Sequence, residues 1–203
     1  MRLALLLLGL LLWTPISHAE EVRRLDGETL EEFAKRNGPA QGALTHKIIE
    51  TEAWGRQKTV IAFYVVGIKL DNSTPATQVE GYLFVSKSTG TYEKILIYNC
   101  EEEGATPEIE AVFFANADKD GAKELIVICS WPQRHYDVNG TLYGTFIFDD
   151  VRAGTYPTAL SFLEGVSERV SGNCDCQWRD GRKNTSKFKT AASVKAGLRR
   201  LGF

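Results

Sequence analysis

Charge of one sign, histidine and long apolar runs are all scarce in this sequence, and each shortage excludes something. The 203 residues carry 24 basic and 26 acidic side chains, a net charge of −2. A chain so nearly balanced has no bulk attraction for nucleic acid. Three histidines (His18, His46 and His135) leave little for imidazole chemistry. No Gly-x-Ser-x-Gly elbow and no oxyanion signature occur, which removes the commonest local sign of a serine hydrolase. No low-complexity linker divides the chain, so one domain is expected. Beyond the first residues, no apolar run approaches the ~20 needed to span a bilayer.

The apolar run that does exist is at the start. Residues 1–19 read MRLALLLLGLLLWTPISHA. One basic residue, Arg2, precedes the run; Pro15 breaks it; Ser17 and Ala19 supply small residues before a cut. That layout is a secretory signal peptide. The expected mature chain begins at Glu20 and is exported, to the periplasm or the cell exterior. No cysteine follows the cut, so a lipid anchor is not expected.

Four cysteines at an oxidising address read as two disulfides. They are Cys100, Cys129, Cys174 and Cys176. Cys100 and Cys129 lie in the strand-like runs YEKILIYNC and ELIVICSW, with a third such run between. A meander of the three places the outer strands ~10 Å apart, two strand spacings. That exceeds the roughly 7 Å limit for Cα atoms across a disulfide. Pairing Cys174 with Cys176 closes a very small ring. The expectation is therefore that each of Cys174 and Cys176 reaches back to one sheet cysteine. A thiolate zinc site wants a different spacing and a second pair.

Periodicity gives a mainly β, α+β chain: an antiparallel sheet, curled or partly propeller-like, with short helices near both ends. The N-terminal helix is read within 26–38, with Thr29 and Glu32 as a capping box. Strand-like runs follow: LTHKIIETEAW, TVIAFYVVGIKL, VEGYLFVSKS, YEKILIYNCE, PEIEAVFFANAD, ELIVICSW and TLYGTFIFDD. A tight hairpin is expected at 88–90. A second helix is read at 158–170, irregular chain through Cys-Asp-Cys, and a final helix at 190–201 with Thr190 as its cap.

The most specific motif is NADKDGAKEL, residues 116–125. Asn116, Asp118, Asp120 and Glu124 place side-chain oxygens at loop positions 1, 3, 5 and 9. Gly121 allows a sharp turn at position 6, and the Ala122 carbonyl can point inward at 7. This is ligand spacing for a hard cation such as calcium. An EF-hand is excluded, because a strand follows and Val127 stands where the bidentate Glu belongs. The loop resembles the strand-loop-strand calcium sites of FG-GAP/VCBS-type repeats, whose pattern is Asp-x-Asp/Asn-x-Asp-Gly-x-x-Asp/Glu followed by Leu. That resemblance spans about fifteen residues and implies a calcium site with a structural role. In the family several repeats build propeller blades; here one good copy is present.

Two further features remain. Trp131, Arg134, His135 and Asp137 cluster around a loop that is a candidate binding site. On paper Ser130, His135 and Asp137 also make a hydrolase triad. Residues 177–203 hold eight basic side chains against Asp180 alone, leaving 20–176 at a net −10. This basic tail either packs on the acidic body or contacts an anionic surface. The function expected is a non-catalytic exported binding or accessory domain with a protein or glycan partner. The alternative is a small secreted hydrolase using the His135 loop.

Overall fold

The computed structural model describes residues 19–203 except 53, 55, 56, 71–73 and 153. The expected leader thus falls, but for Ala19, outside the described residues. The chain opens with β1 (Glu20–Arg23), α1 (Leu30–Asn37), β2 (Ala43–Leu44), β3 (Ile49–Thr51), β4 (Thr59–Leu70), β5 (Thr74–Ser88) and β6 (Thr91–Cys100). Their strands form one antiparallel sheet, ordered β1-β6-β5-β4-β2, with β3 also paired to β4. A second antiparallel sheet holds β7 (Glu108–Ala115), β8 (Glu124–Arg134), β9 (Val138–Phe148), β10 (Asp175–Trp178) and β11 (Lys183–Asn184). Its order is β11-β10-β9-β8-β7. Between β9 and β10 lies α2 (Glu164–Arg169), and α3 (Ala191–Leu201) follows β11.

The two sheets stack face to face. Ile61, Leu83 and Ile95 of the first meet Leu125, Val127 and Phe148 of the second in one core. The far face of the first sheet is covered by α1, where Phe33 and Ala34 pack on Val60, Phe84 and Tyr92. The far face of the second is covered by α3, where Val194 and Leu198 pack on Ile126, Ile128 and Ile147. Strand side chains alternate between faces, so covering both faces makes β4 and β8 apolar without interruption. The capping box of α1 forms as read: Glu32 N–H donates to Thr29 Oγ1 (3.2 Å), and Thr29 N–H donates to Glu32 Oε2 (2.8 Å).

Several expectations are corrected. The run at 44–54 is not one strand; only β2 and β3 pair, each with β4. The helix read at 158–170 shrinks to α2. Residues 158–160 instead fill the edge of β6, with Leu96 N–H donating to the Thr158 carbonyl and Leu160 N–H to the Leu96 carbonyl. That edge is open because β1 pairs only with 91–94 of β6. The chain through Cys-Asp-Cys is not irregular: it becomes β10, paired with β9. Finally, β6, β7 and β8 are not a meander. β6 belongs to the first sheet, and the chain crosses to the second at 101–107.

The cysteine pairing is corrected with it. Cys174 and Cys176 are joined to each other, and neither reaches the sheet cysteines. They sit at the β10 ladder, where Cys176 lies opposite Gly140. A Cβ on Gly140 would come within 2.7 Å of the Cys176 Cα, so that crossing requires glycine. Cys100 and Cys129 carry no bond to Cys174 or Cys176 and lie buried in the core between the sheets.

Candidate metal centre

β7 ends at Ala115, directly opposite Glu124, where β8 begins. The chain between turns on its own carboxylates. Asp118 Oδ1 accepts from Asp120 N–H (2.9 Å), and Asp120 Oδ1 accepts from Ala122 N–H (2.8 Å). Both are Asx turns. Gly121 takes a φ of +90° with nothing within 4 Å of where a Cβ would stand. The turn therefore needs its backbone freedom and not its small size. The Trp54 indole donates to the Lys123 carbonyl (2.6 Å) and meets the Phe114 ring edge-on, tying the loop to the body.

Glu124 is fully buried. One carboxylate oxygen, Oε2, accepts from the Ala117 N–H. The other, Oε1, has no partner among the described residues. Burial holds the Glu124 pKa above the ordinary carboxylate value; the Ala117 N–H opposes this, and the charges of Asp118 and Asp120 add to it. Asp149 joins the loop through sheet pairing. Leu125 lies opposite Phe148, so the residue after β9 falls beside Glu124. Carboxylate oxygens of Asp118, Glu124 and Asp149 lie within 4.8 Å of one another, as do those of Asp120, Asp149 and Asp150. Burial also raises the Asp150 pKa, and Asp120 and Asp149 raise it further.

Such a cluster is costly as it stands. A buried carboxylate oxygen without a donor, facing other carboxylates, loses hydration and gains repulsion. A hard divalent cation removes both costs. Ligands at about 2.4 Å from a shared calcium ion lie no more than about 4.8 Å from one another, and these oxygens meet that limit. The residues present therefore fit an oxygen-ligated cation.

Sequence spacing picked out Asp118, Asp120 and Glu124, and the structure brings their oxygens into the two overlapping clusters. Asn116 is exposed at the head of the loop, and Ala122 is half-buried. Asp149 and Asp150 were missed. Their signal was the Asp-Asp pair closing TLYGTFIFDD, legible only once that run is placed antiparallel to ELIVIC. A groove of about 980 Å³ opens beside the cluster, lined in part by Asp149, Asp150, Tyr156 and Lys87. Lys87 is held there by Glu93 (2.7 Å) and Glu21 (3.0 Å).

The His135 loop is a different place with different contents. Trp131 is 5% exposed and belongs to the core; its indole donates to the Glu101 carbonyl (2.8 Å). It is corrected from a binding to a packing residue. Ser130 donates to Glu110 Oε1 (2.6 Å), and His135 Nε2 faces Gln133 Oε1 (3.3 Å), so no triad is assembled. Arg134, His135 and Asp137 are exposed. His135 and Asp137 line a shallow cleft with Tyr136, Trp178 and Arg179. The Arg179 guanidinium lies 4.5 Å from the Tyr136 ring centre, and Arg182 lies 5.3 Å from that of Trp178. The tail is therefore partly engaged: Lys189 pairs with Asp175, Arg182 with Asp180 (2.6 Å), and Lys195 lies over Phe113.

Comparison with family models, with curated proteins and with solved structures finds no match to this chain. No helix among the described residues is long and apolar enough to cross a membrane.

Proposed function

We propose that this protein is an exported, non-catalytic binding or accessory domain in which calcium ties the β7–β8 loop to the end of β9. The unpartnered, fully buried Oε1 of Glu124 carries this reading. It is an acceptor with no donor among the described residues, and a cation beside the neighbouring carboxylates would satisfy it. Asp118, Asp120, Asp149 and Asp150 supply the remaining charge, with Asn116 and the Ala122 carbonyl as further oxygens. All-oxygen donors select calcium over the softer transition metals. The expected affinity is that of extracellular modules, ~10⁻⁴–10⁻³ M. The signal-like residues 1–19 and the Cys174–Cys176 disulfide support export to an oxidising compartment. The exposed Tyr136–Arg179 and Trp178–Arg182 stacks are the surface this reading offers to a glycan or protein partner. No contact among the described residues favours the hydrolase alternative.

Thermal unfolding in EDTA and in calcium tests the metal. Ligand at 100 times its Kd stabilises by about 2.7 kcal/mol, a rise in Tm of roughly 5–10 °C for a chain this size. Asp118→Asn and Asp149→Asn should each abolish most of it. An unchanged Tm in 10 mM calcium overturns the cation, and a response lost in Asp118→Asn but intact in Asp149→Asn overturns the bridge to β9. Export is tested separately, by fractionating bacteria that make the full chain; recovery in the periplasm with Glu20 at the N-terminus is the expected result.

A further inference from the structure

We infer that Cys100 and Cys129 form a disulfide that bolts the two sheets together through the core. Both side chains point into the space between the sheets and are almost fully buried, 2% and 1% exposed. Cys100 ends β6 in the first sheet, opposite Val79. Cys129 is central in β8 of the second, flanked by Ile109 and Gly144.

Two cross-sheet contacts fix this alignment independently of the sulfurs. Trp131 projects from the same face of β8 as Cys129, two residues on. Its indole donates to the carbonyl of Glu101, the residue after Cys100 (2.8 Å). Gln133, two residues further, donates to the Glu103 carbonyl (2.8 Å). β8 therefore runs in step with the crossing chain, Trp131 beside Glu101 and Gln133 beside Glu103, and the same offset brings Cys129 within one residue of Cys100. Cys100 and Cys129 are both buried members of the one apolar core that the two sheets share. Cys174 and Cys176 are satisfied by each other, so each core thiol has the other as its partner. The meander that seemed to forbid this bond does not exist.

Chemistry sets when the bond closes. Burial pushes the Cys129 thiol well above its ordinary pKa, and a buried thiol is a poor nucleophile. Closure therefore belongs to folding, before the core seals. The oxidant is a small disulfide or the disulfide of an oxidoreductase in the export compartment. One cysteine thiolate attacks that disulfide and expels a thiol. The second cysteine then displaces the other half from the mixed disulfide. The protein loses two protons and two electrons, one sulfur–sulfur bond forms, and the oxidant leaves as two thiols.

The test uses the full chain and a Cys174→Ser/Cys176→Ser variant, each refolded from guanidinium in a glutathione redox buffer. Thiol titration in denaturant should find none in the oxidised variant. Peptide mapping of the wild type should link Cys100 to Cys129 and Cys174 to Cys176. Refolding the variant without oxidant should lower its Tm by roughly 10 °C, the effect of releasing a loop that long. Once folded reduced, it should resist oxidised glutathione. Two free thiols in the variant refolded with oxidant, or a link from Cys100 or Cys129 to Cys174 or Cys176, overturns the pairing. The presence of the bond in cells rests on the export reading. A bond that forms in the redox buffer but is absent from protein recovered from cells overturns that reading and leaves the pairing standing.

Discussion

At the scale of single residues, Glu124 sets how stability depends on pH. Its pKa is raised above the ordinary value of 4.5, chiefly by burial. Between 4.5 and the raised value the folded protein holds a proton that the unfolded chain has released. Stability from this group is complete below 4.5 and falls as pH rises through the window. On the proposed reading calcium would bind the ionised form, so its stabilisation should grow across the same window. Glu28, held at about 2 chiefly by its hydrogen bond from Arg36, acts in the opposite sense and only on the acid side of 4.5. Melting curves from pH 4 to 8 should therefore fall in EDTA and stay level in calcium. Glu124→Gln should make the fall in EDTA shallower, leaving the part that the raised pKa of Asp150 supplies, and remove the calcium response. A flat EDTA curve in the wild type would contradict the unpaired carboxylate. Sequence spacing placed Glu124 in the loop but gave no hint that one of its oxygens is sealed without a donor. That fact belongs to packing, as does the approach of Asp149, 25 residues along the chain and brought near by pairing between strands.

At the scale of elements, what could be read followed from local rules. The capping box of α1, the Thr190 cap of α3, the hairpin at 88–90 and the two-sided apolar runs of β4 and β8 depend on neighbours in sequence. Elements decided by distant partners were misread. Residues 158–160 carry a helical spacing, yet the vacant edge of β6 captures their backbone. Cys174 to Trp178 shows no strand pattern, yet β9 offers a free ladder. The same logic gives a prediction for α1. Its Thr29–Glu32 box is exposed and self-contained, so Thr29→Ala should cost about 1 kcal/mol. In urea that is a midpoint lower by roughly 0.5 M with unchanged slope. A loss several times larger would mean that Thr29 also orders the packing of Phe33 on the first sheet.

At the scale of the molecule, two sheets and two covering layers leave three apolar cores, and the middle one joins everything. Charge is laid over this frame unevenly: the basic tail supplies the layer over the second sheet, with most of its cations turned to water. The architecture stacks two antiparallel sheets instead of fanning blades. One feature of that architecture would tie the proposed cation to the whole. β8 is paired on both edges and covered on both faces, and it begins at Glu124. Its amide protons, at Ile126 and Ile128 above all, can exchange with solvent only when the entire fold opens. Calcium should slow them by the same factor by which it favours the folded state, while leaving the short edge strand β2 almost unaffected. A deuterium-exchange series over calcium concentration would then make this one strand a gauge of global opening. Protection confined to residues 116–124 would instead mean that the ion steadies a loop and nothing more.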